Sequence, residues 1–215
     1  MFVGPRMKRD LVTVTPGATL EEAARLLTAH RIHHLPVVVE GNRLAGILSD
    51  TDLRNATLDG IDGGADRGDS GRPVTVGEIM TRELVTLSPG DTLDDAMLVL
   101  SRQRIGALPV VEGDRLVGIL TKADILTALL STLDIEGLGV RIEVILPRDV
   151  KDVARLAGVL DELQVEVRSL VLAPHGADRY AVFIRVATID VASVRDRLRE
   201  KGFAVAELSD FYEGK

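Results

Sequence analysis

The sequence predicts a mixed α/β (α+β) chain, with a duplicated strand–helix unit followed by a separate βαββαβ domain. Three observations predict it. Three sequence blocks recur in the same order about 73 positions apart. Each copy alternates short β-branched runs with a helical apolar stripe. After about Leu138 the pattern changes and does not return.

The repeat comes first because it organises the rest. Leu11–Leu20, LVTVTPGATL, returns as Leu84–Leu93, LVTLSPGDTL. Arg31–Val38, RIHHLPVV, returns as Arg104–Val111, RIGALPVV. Gly46–Leu53, GILSDTDL, returns as Gly118–Ile125, GILTKADI. The offset drops from 73 to 72 between the second and third blocks, where Val39–Arg43 reads as a hairpin turn. A length change confined to a turn fits a structural repeat.

Each copy reads as strand, helix, strand, turn, strand, helix. Val12–Val14 is a short strand. Thr19 is an N-cap with Glu22 three residues on, a capping box. Leu20, Ala23, Ala24 and Leu27 form one apolar stripe. Pro36 bars helix and opens the strand Val37–Val39. Leu44–Leu48 is the return strand, and Asp52 starts the next helix. The second copy repeats this from Thr92, with Asp95 in the box position. The expected layout is repeat 1 over 1–58, a Gly/Asp-rich flexible linker over 59–73, repeat 2 over 74–133 and a last domain over 138–215.

In that last domain Val140–Leu146 alternates as a strand. Val150–Leu163 carries a stripe of Val153, Leu156, Ala157 and Leu160. Val165–Leu172 is a second strand and Pro174–Ala177 a turn. Arg179–Ala187 is a third strand. Val191–Lys201 is a helix closed by Gly202, and Phe203–Leu208 a fourth strand. The order βαββαβ is the ferredoxin-like split βαβ motif.

Composition narrows the function classes. There is no cysteine, so no disulfide framework, thiolate metal site or cysteine nucleophile. This fits a reducing cytoplasm, the expected location. No apolar run approaches the roughly 20 residues needed to span a bilayer, and the first ten residues lack a signal-peptide core. The net charge of -7 and the 3% aromatic content argue against a nucleic-acid partner. Gly-x-Ser-x-Gly, His-Glu-x-x-His, P-loop and Rossmann patterns are missing from the sequence. Asp94 and Asp95 read as helix N-terminal charges, so no catalytic residue is expected. His30, His33 and His34 have helical i, i+3, i+4 spacing, but Pro36 ends the helix there and no carboxylate completes a set, so no metal site is expected.

The Leu-Pro-Val-Val strands and the Gly-hydrophobic-x-Ser/Thr-x-x-Asp blocks, twice in register over about residues 7–132, resemble the CBS-domain family in its paired Bateman form. The C-terminal domain resembles an ACT domain, and the whole layout resembles the acetoin utilization family. The CBS resemblance implies a non-catalytic regulator with two clefts shared between the repeats, binding AMP, ADP or ATP, with Mg2+ only alongside ATP. One pocket would join Ile47, Ser49, Thr51, Asp52 and His33 to Leu84, Val85, Ile105 and Ala107. The other would join Ile119, Thr121, Ala123 and Asp124 to Leu11, Val12, Ile32 and His34.

The chemistry of these residue types agrees. A carboxylate at Asp52 or Asp124 can accept both vicinal ribose hydroxyls. The adjoining helix N-termini attract phosphate, and Ser49 and Thr121 can add a hydroxyl bond. Asp52 and Asp124 can equally be plain caps. In the family it resembles, basic residues at the positions of His33 and His34 often contact phosphate; the second repeat has Gly106 and Ala107 there, so the resemblance implies that the Asp52 pocket holds the phosphorylated ligand. The Asp124 pocket, with Lys122 nearby, is expected to be empty or to take a nucleoside-like ligand. NAD and S-adenosylmethionine are alternative ligands, and a structural module with vestigial clefts is the alternative role.

The expected partners are the small-molecule nucleotide, a second copy joined through the CBS and ACT-like domains, and a protein target the sequence does not identify. The ACT resemblance also suggests an amino-acid site, but the loop after the first strand is Leu146–Val150, with Arg148 where a glycine would allow close backbone approach.

Overall fold

The computed structural model describes residues 1–58 and 73–207. The expected linker lies outside the described residues except for Pro73. Two compact units divide the chain, Met1–Leu126 and Thr127–Lys215.

In the first unit each repeat contributes a helix, a hairpin and a second helix. Repeat 1 has α1 (Leu20–His30), β1 (His34–Val39), β2 (Arg43–Ser49) and α2 (Asp50–Leu58). A short helix α3 (Val76–Ile79) follows, and then repeat 2 with α4 (Leu93–Arg102), β3 (Ala107–Glu112), β4 (Arg115–Thr121) and α5 (Lys122–Thr132). The division between the units falls within α5. Thr19 and Thr92 cap α1 and α4 by accepting from the amides of Glu22 and Asp95. The one-residue offset sits in the hairpins, with Glu40–Asn42 linking β1 to β2 and Gly113–Asp114 linking β3 to β4.

The two hairpins form one sheet in the order β1-β2-β4-β3. They meet at a single pair, Arg43 opposite Arg115. β1 and β3 are therefore the outer strands, which tolerate Pro36 and Pro109. Equivalent residues fill equivalent places: Leu20, Ala23, Leu27, Leu35, Val37 and Leu48 are buried, and so are Leu93, Ala96, Leu100, Leu108, Val110 and Leu120.

Three expectations change. The strand Val12–Val14 shrinks to a bridge at Val14, which pairs with Val37. Val14 donates to the Pro36 carbonyl and accepts from Val38. The next parallel rung would need an N–H from Pro36 to reach Val12, and proline has none. Pro109 limits Leu87 in the same way. Ala24 is exposed, and Leu26 half-buried instead, because the stripe turns with the 3.6-residue period. Asp52 is the third residue of α2, which begins at Asp50.

The structure also shows a fourth repeated block. Val3-Gly4, Met7 and Arg9 match Val76-Gly77, Met80 and Arg82. These segments are exchanged between the repeats. Val3 and Gly4 donate to the carbonyls of Asp91 and Pro89, and Lys8 pairs with Ile119. Val76 and Gly77 donate to Ala18 and Pro16, and Thr81 pairs with Ile47. Val76 and Met80 thus complete the core of repeat 1. Gly46 and Gly118 need to lack a side chain, since a Cβ there would stand 2.6 Å from Met80 Sδ or 2.5 Å from Met7 Sδ.

The second unit has the ferredoxin-like order β5 (Val140–Pro147), α6 (Val150–Glu162), β6 (Glu166–His175), β7 (Arg179–Ala187), α7 (Val191–Glu200) and β8 (Ala204–Val205). Its antiparallel sheet runs β6-β7-β5-β8. Ile142, Val144 and Leu146 alternate toward a core with Val182, Ile184 and Val186. Leu156, Val159 and Leu160 of α6 and Val194 and Leu198 of α7 cover that face. Val159, not the exposed Ala157, completes the α6 stripe. β6 extends through Pro174 and His175, so the turn is Gly176–Asp178 with Gly176 at φ 67°. β8 is only two residues long, and Leu208 lies outside the described residues.

Candidate functional site: two related clefts

On β2 and β4 the alternation sends Leu48 and Leu120 into the core, and Ile47, Ser49, Ile119 and Thr121 the other way. The strands end at Ser49 and Thr121, and a helix begins at the next residue. The two hydroxyl residues occupy the N-cap positions, with Asp52 and Asp124 third in the helices. The result is the same reciprocal box twice. Asp52 Oδ2 accepts from the amide and the hydroxyl of Ser49, both at 2.7 Å, while the Asp52 amide donates to Ser49 Oγ at 3.2 Å. Asp124 Oδ2 accepts from the Thr121 amide at 2.9 Å and its hydroxyl at 2.6 Å, with the return bond at 3.2 Å. These bonds lock each carboxylate at one helix start. They also engage both hydroxyls as donors to the aspartates. Oδ1 of Asp52 has no partner among the described residues, while Oδ1 of Asp124 stands 3.5 Å from Lys8 Nζ.

Two cavities open beside these boxes. The first, about 500 Å³, brings together Ile47, Ser49, Thr51, Asp52, Leu84, Val85, Ile105 and Ala107. The second, about 510 Å³, brings together Leu11, Val12, Ile32, His34, Ile119, Thr121 and Ala123. Both have the size of a small-ligand site. Each draws one wall from each repeat.

Two residues are placed differently from expectation. His33 lines the second cavity, not the first. It precedes β1, its carbonyl accepts from the Asp50 amide, and its Nδ1 stands 3.0 Å from Asp50 Oδ2. Asp124 is not part of the second cavity's wall; its side chain is 13% exposed and pairs with Thr121 and Lys8. The α1 helix ends at His30, and Arg31 turns left-handed at φ 52°, so the three histidines do not share a helical face.

His34 lines both cavities. Its ring lies over Gly106, where a Cβ would stand 2.7 Å from Cε1 and Nε2. The second repeat therefore has glycine at the position equivalent to His33 because the imidazole of His34 occupies the space. Burial lowers the pKa of His34, opposed by the Asp50 and Asp52 charges and aided by His33. At Asp50 partial burial acts upward, but the His33 hydrogen bond and the charges of Arg54 and His33 outweigh it and hold the carboxyl below its usual value.

Sequence reasoning missed Lys8, Asp10, Arg31 and Pro36 in the second cavity, and Asp50, Thr81, Glu83, Gln103, Arg104 and Pro109 in the first. Lys8 and Thr81 belong to the exchanged block. Its Val-Gly-x-x-Met-x-Arg pattern was the signal that could have found them.

The duplicated hairpin unit, the exchanged arms and the paired clefts define a CBS pair. The CBS domain family matches residues 3–59 and 76–131, and the chain belongs to that family. It is 35% identical over 120 residues to the CBS domain-containing protein YhcV of Bacillus subtilis, a match covering 55% of this chain and 79% of that one. It is also similar in structure to a putative acetoin utilization protein, AcuB, from Vibrio cholerae, with TM-score 0.56 and 29% identity over 63% of this chain and 96% of that one. The CBS domain pair of protein MJ0100, solved with 5′-methylthioadenosine and S-adenosylmethionine, matches with TM-score 0.54 and 29% identity over 61% and 97%. CBSX2 in complex with AMP matches with TM-score 0.54 and 28% identity over 60% and 96%.

Proposed function

We propose that this chain is a non-catalytic regulatory protein that binds an adenosyl ligand in the clefts between its two CBS repeats. The observation that carries the reading is the pair of aspartates, each fixed by a reciprocal box beside a cavity of about 500 Å³. One oxygen of each serves the fold. Oδ1 of Asp52 is left to accept the vicinal ribose hydroxyls, and Oδ1 of Asp124 would accept them by giving up its 3.5 Å ion pair with Lys8. Val12, Ile32 and Ile119 in one cleft, and Val85, Ile105 and Ile47 in the other, offer the apolar slot an adenine ring needs. The ligands of MJ0100 and CBSX2 support the adenosyl class.

In this reading ligand binding shifts the CBS pair between states of different affinity. The ACT-like unit passes the change to a second copy or a protein target. Its edge strand β6, with partly exposed Val167, Leu170 and Leu172, is the surface a second copy would cover. Arg148 stands beside the Tyr180 ring and Asp149 caps α6, which supports a structural loop rather than an amino-acid site. The likeness to AcuB motivates testing an acetoin-grown cell for the regulated partner.

Melting with AMP, ADP, ATP, NAD, S-adenosylmethionine and 5′-methylthioadenosine in turn tests the reading. A ligand at 100 times its Kd adds about 2.7 kcal/mol, a rise of several degrees at roughly 2–4 °C per kcal/mol. The double variant Asp52→Asn/Asp124→Asn is expected to lose the rise. A chain that melts at one temperature with every ligand would leave only the structural role.

A further inference from the structure

The repeat gives most cleft positions an equivalent, and several that differ carry charge. Lys8 of the Asp124 cleft is Thr81 in the Asp52 cleft, on equivalent bridges to Ile119 and Ile47. Lys122, first residue of α5, is matched by Asp50, first residue of α2. Lys122 also reaches the rim of the Asp52 cleft. The remaining charged walls are alike, with Arg31 and Asp10 against Arg104 and Glu83. With Asp124 included beside Lys8, the Asp124 cleft has three cations against two anions. The Asp52 cleft has Arg104 and Lys122 against Asp50, Asp52 and Glu83.

We infer that the two clefts sort ligands by charge: the Asp124 cleft takes the phosphorylated adenine nucleotide, and the Asp52 cleft takes an adenosyl ligand without phosphate, uncharged or carrying a sulfonium. The inference rests on the adenosyl reading above and reverses the preference expected from sequence. A phosphate gains from free amides at a helix start, and in the Asp124 cleft Lys122 and Lys8 add cations to that end. In the Asp52 cleft the same end holds Asp50, whose carboxylate stands where it repels phosphate and attracts a cation. Asp50 stays ionised because His33 and Arg54 face it. The apolar slots are the same in both clefts, so adenine recognition does not distinguish them and charge does.

Lys8 and Thr81 are both exposed, so exchanging them changes the charge at the clefts without cutting into the core, and Lys8→Thr also releases the Asp124 carboxylate from its ion pair. Titration calorimetry on the full chain would use AMP and 5′-methylthioadenosine, which share the adenosine and differ in the phosphate. Lys8→Thr is expected to weaken AMP about tenfold, the value of one charge-assisted contact, and to change 5′-methylthioadenosine less than twofold. Thr81→Lys is expected to strengthen AMP binding at a second site. Higher salt should weaken AMP and leave 5′-methylthioadenosine unchanged. If Lys8→Thr alters both ligands equally, or neither, the charge sorting is overturned and the adenosyl reading stands. If wild type binds neither ligand, the adenosyl reading falls and the sorting with it.

Discussion

Replacing Asp52 with alanine separates what that residue does for the fold from what it does for a ligand. In the ligand-free chain Asp52 Oδ2 accepts the Ser49 amide and hydroxyl, each at 2.7 Å, at the start of α2. Losing such a cap costs about 1 kcal/mol, with about 2 as the upper end. At roughly 2–4 °C per kcal/mol, the ligand-free melting temperature should fall by about 2–8 °C. Ser49→Ala breaks the same box from the other side and should cost a similar amount. The two variants part when 5′-methylthioadenosine is added. Ser49→Ala keeps the carboxylate and should retain most of the ligand-induced rise; Asp52→Ala should lose it. Scanning calorimetry of both, with and without the ligand, reads all four values. If Asp52→Ala keeps the full rise, or Ser49→Ala loses it as completely, the division between Oδ2 for the fold and Oδ1 for the ribose is wrong.

Other outcomes follow from packing and charge. Gly106→Ala places a methyl 2.7 Å from the His34 ring and should destabilise by about 1–3 kcal/mol; His34→Ala in the same chain should remove most of that penalty, and additive denaturation energies would refute the contact. Because burial lowers the pKa of His34, the unfolded chain takes up the proton first, so stability is lost as pH falls below 6.5 toward the folded value. The gap in melting temperature between wild type and His34→Gln should therefore narrow or reverse on acidification from pH 7, and a constant gap would contradict the burial. Leu198→Ala, at a fully buried site of the second unit, should cost about 2–5 kcal/mol by urea unfolding. AMP affinity should survive it, since every cleft residue lies within Met1–Leu126.

The duplicated fold was legible because equivalent residues meet equivalent burial: Leu35 and Leu108, or Leu48 and Leu120, report the same core twice. Most cleft walls followed, because period-two alternation on β2 and β4 assigns Ile47, Ser49, Ile119 and Thr121 to one face. The short strands near Val12 and Val85 shrink to single bridges, since alternation does not reveal that Pro36 and Pro109 remove the next rung. His33 was misplaced because its direction depends on a chain turn before β1 and on Asp50, seventeen positions away. Lys8 and Thr81 were missed because the exchange of arms between repeats is a tertiary event. In the C-terminal unit the element order was readable from periodicity, while Val159 replaced Ala157 at the core because the stripe drifts along a 13-residue helix.

A crystal structure grown with AMP and 5′-methylthioadenosine tests the central claim most directly. The account predicts the ribose hydroxyls of one ligand within about 3 Å of Asp52 Oδ1 and those of the other equally near Asp124 Oδ1, with adenine between the valine and isoleucine walls. Ligands seated elsewhere on the chain, or clefts closed by the protein's own side chains, would contradict it.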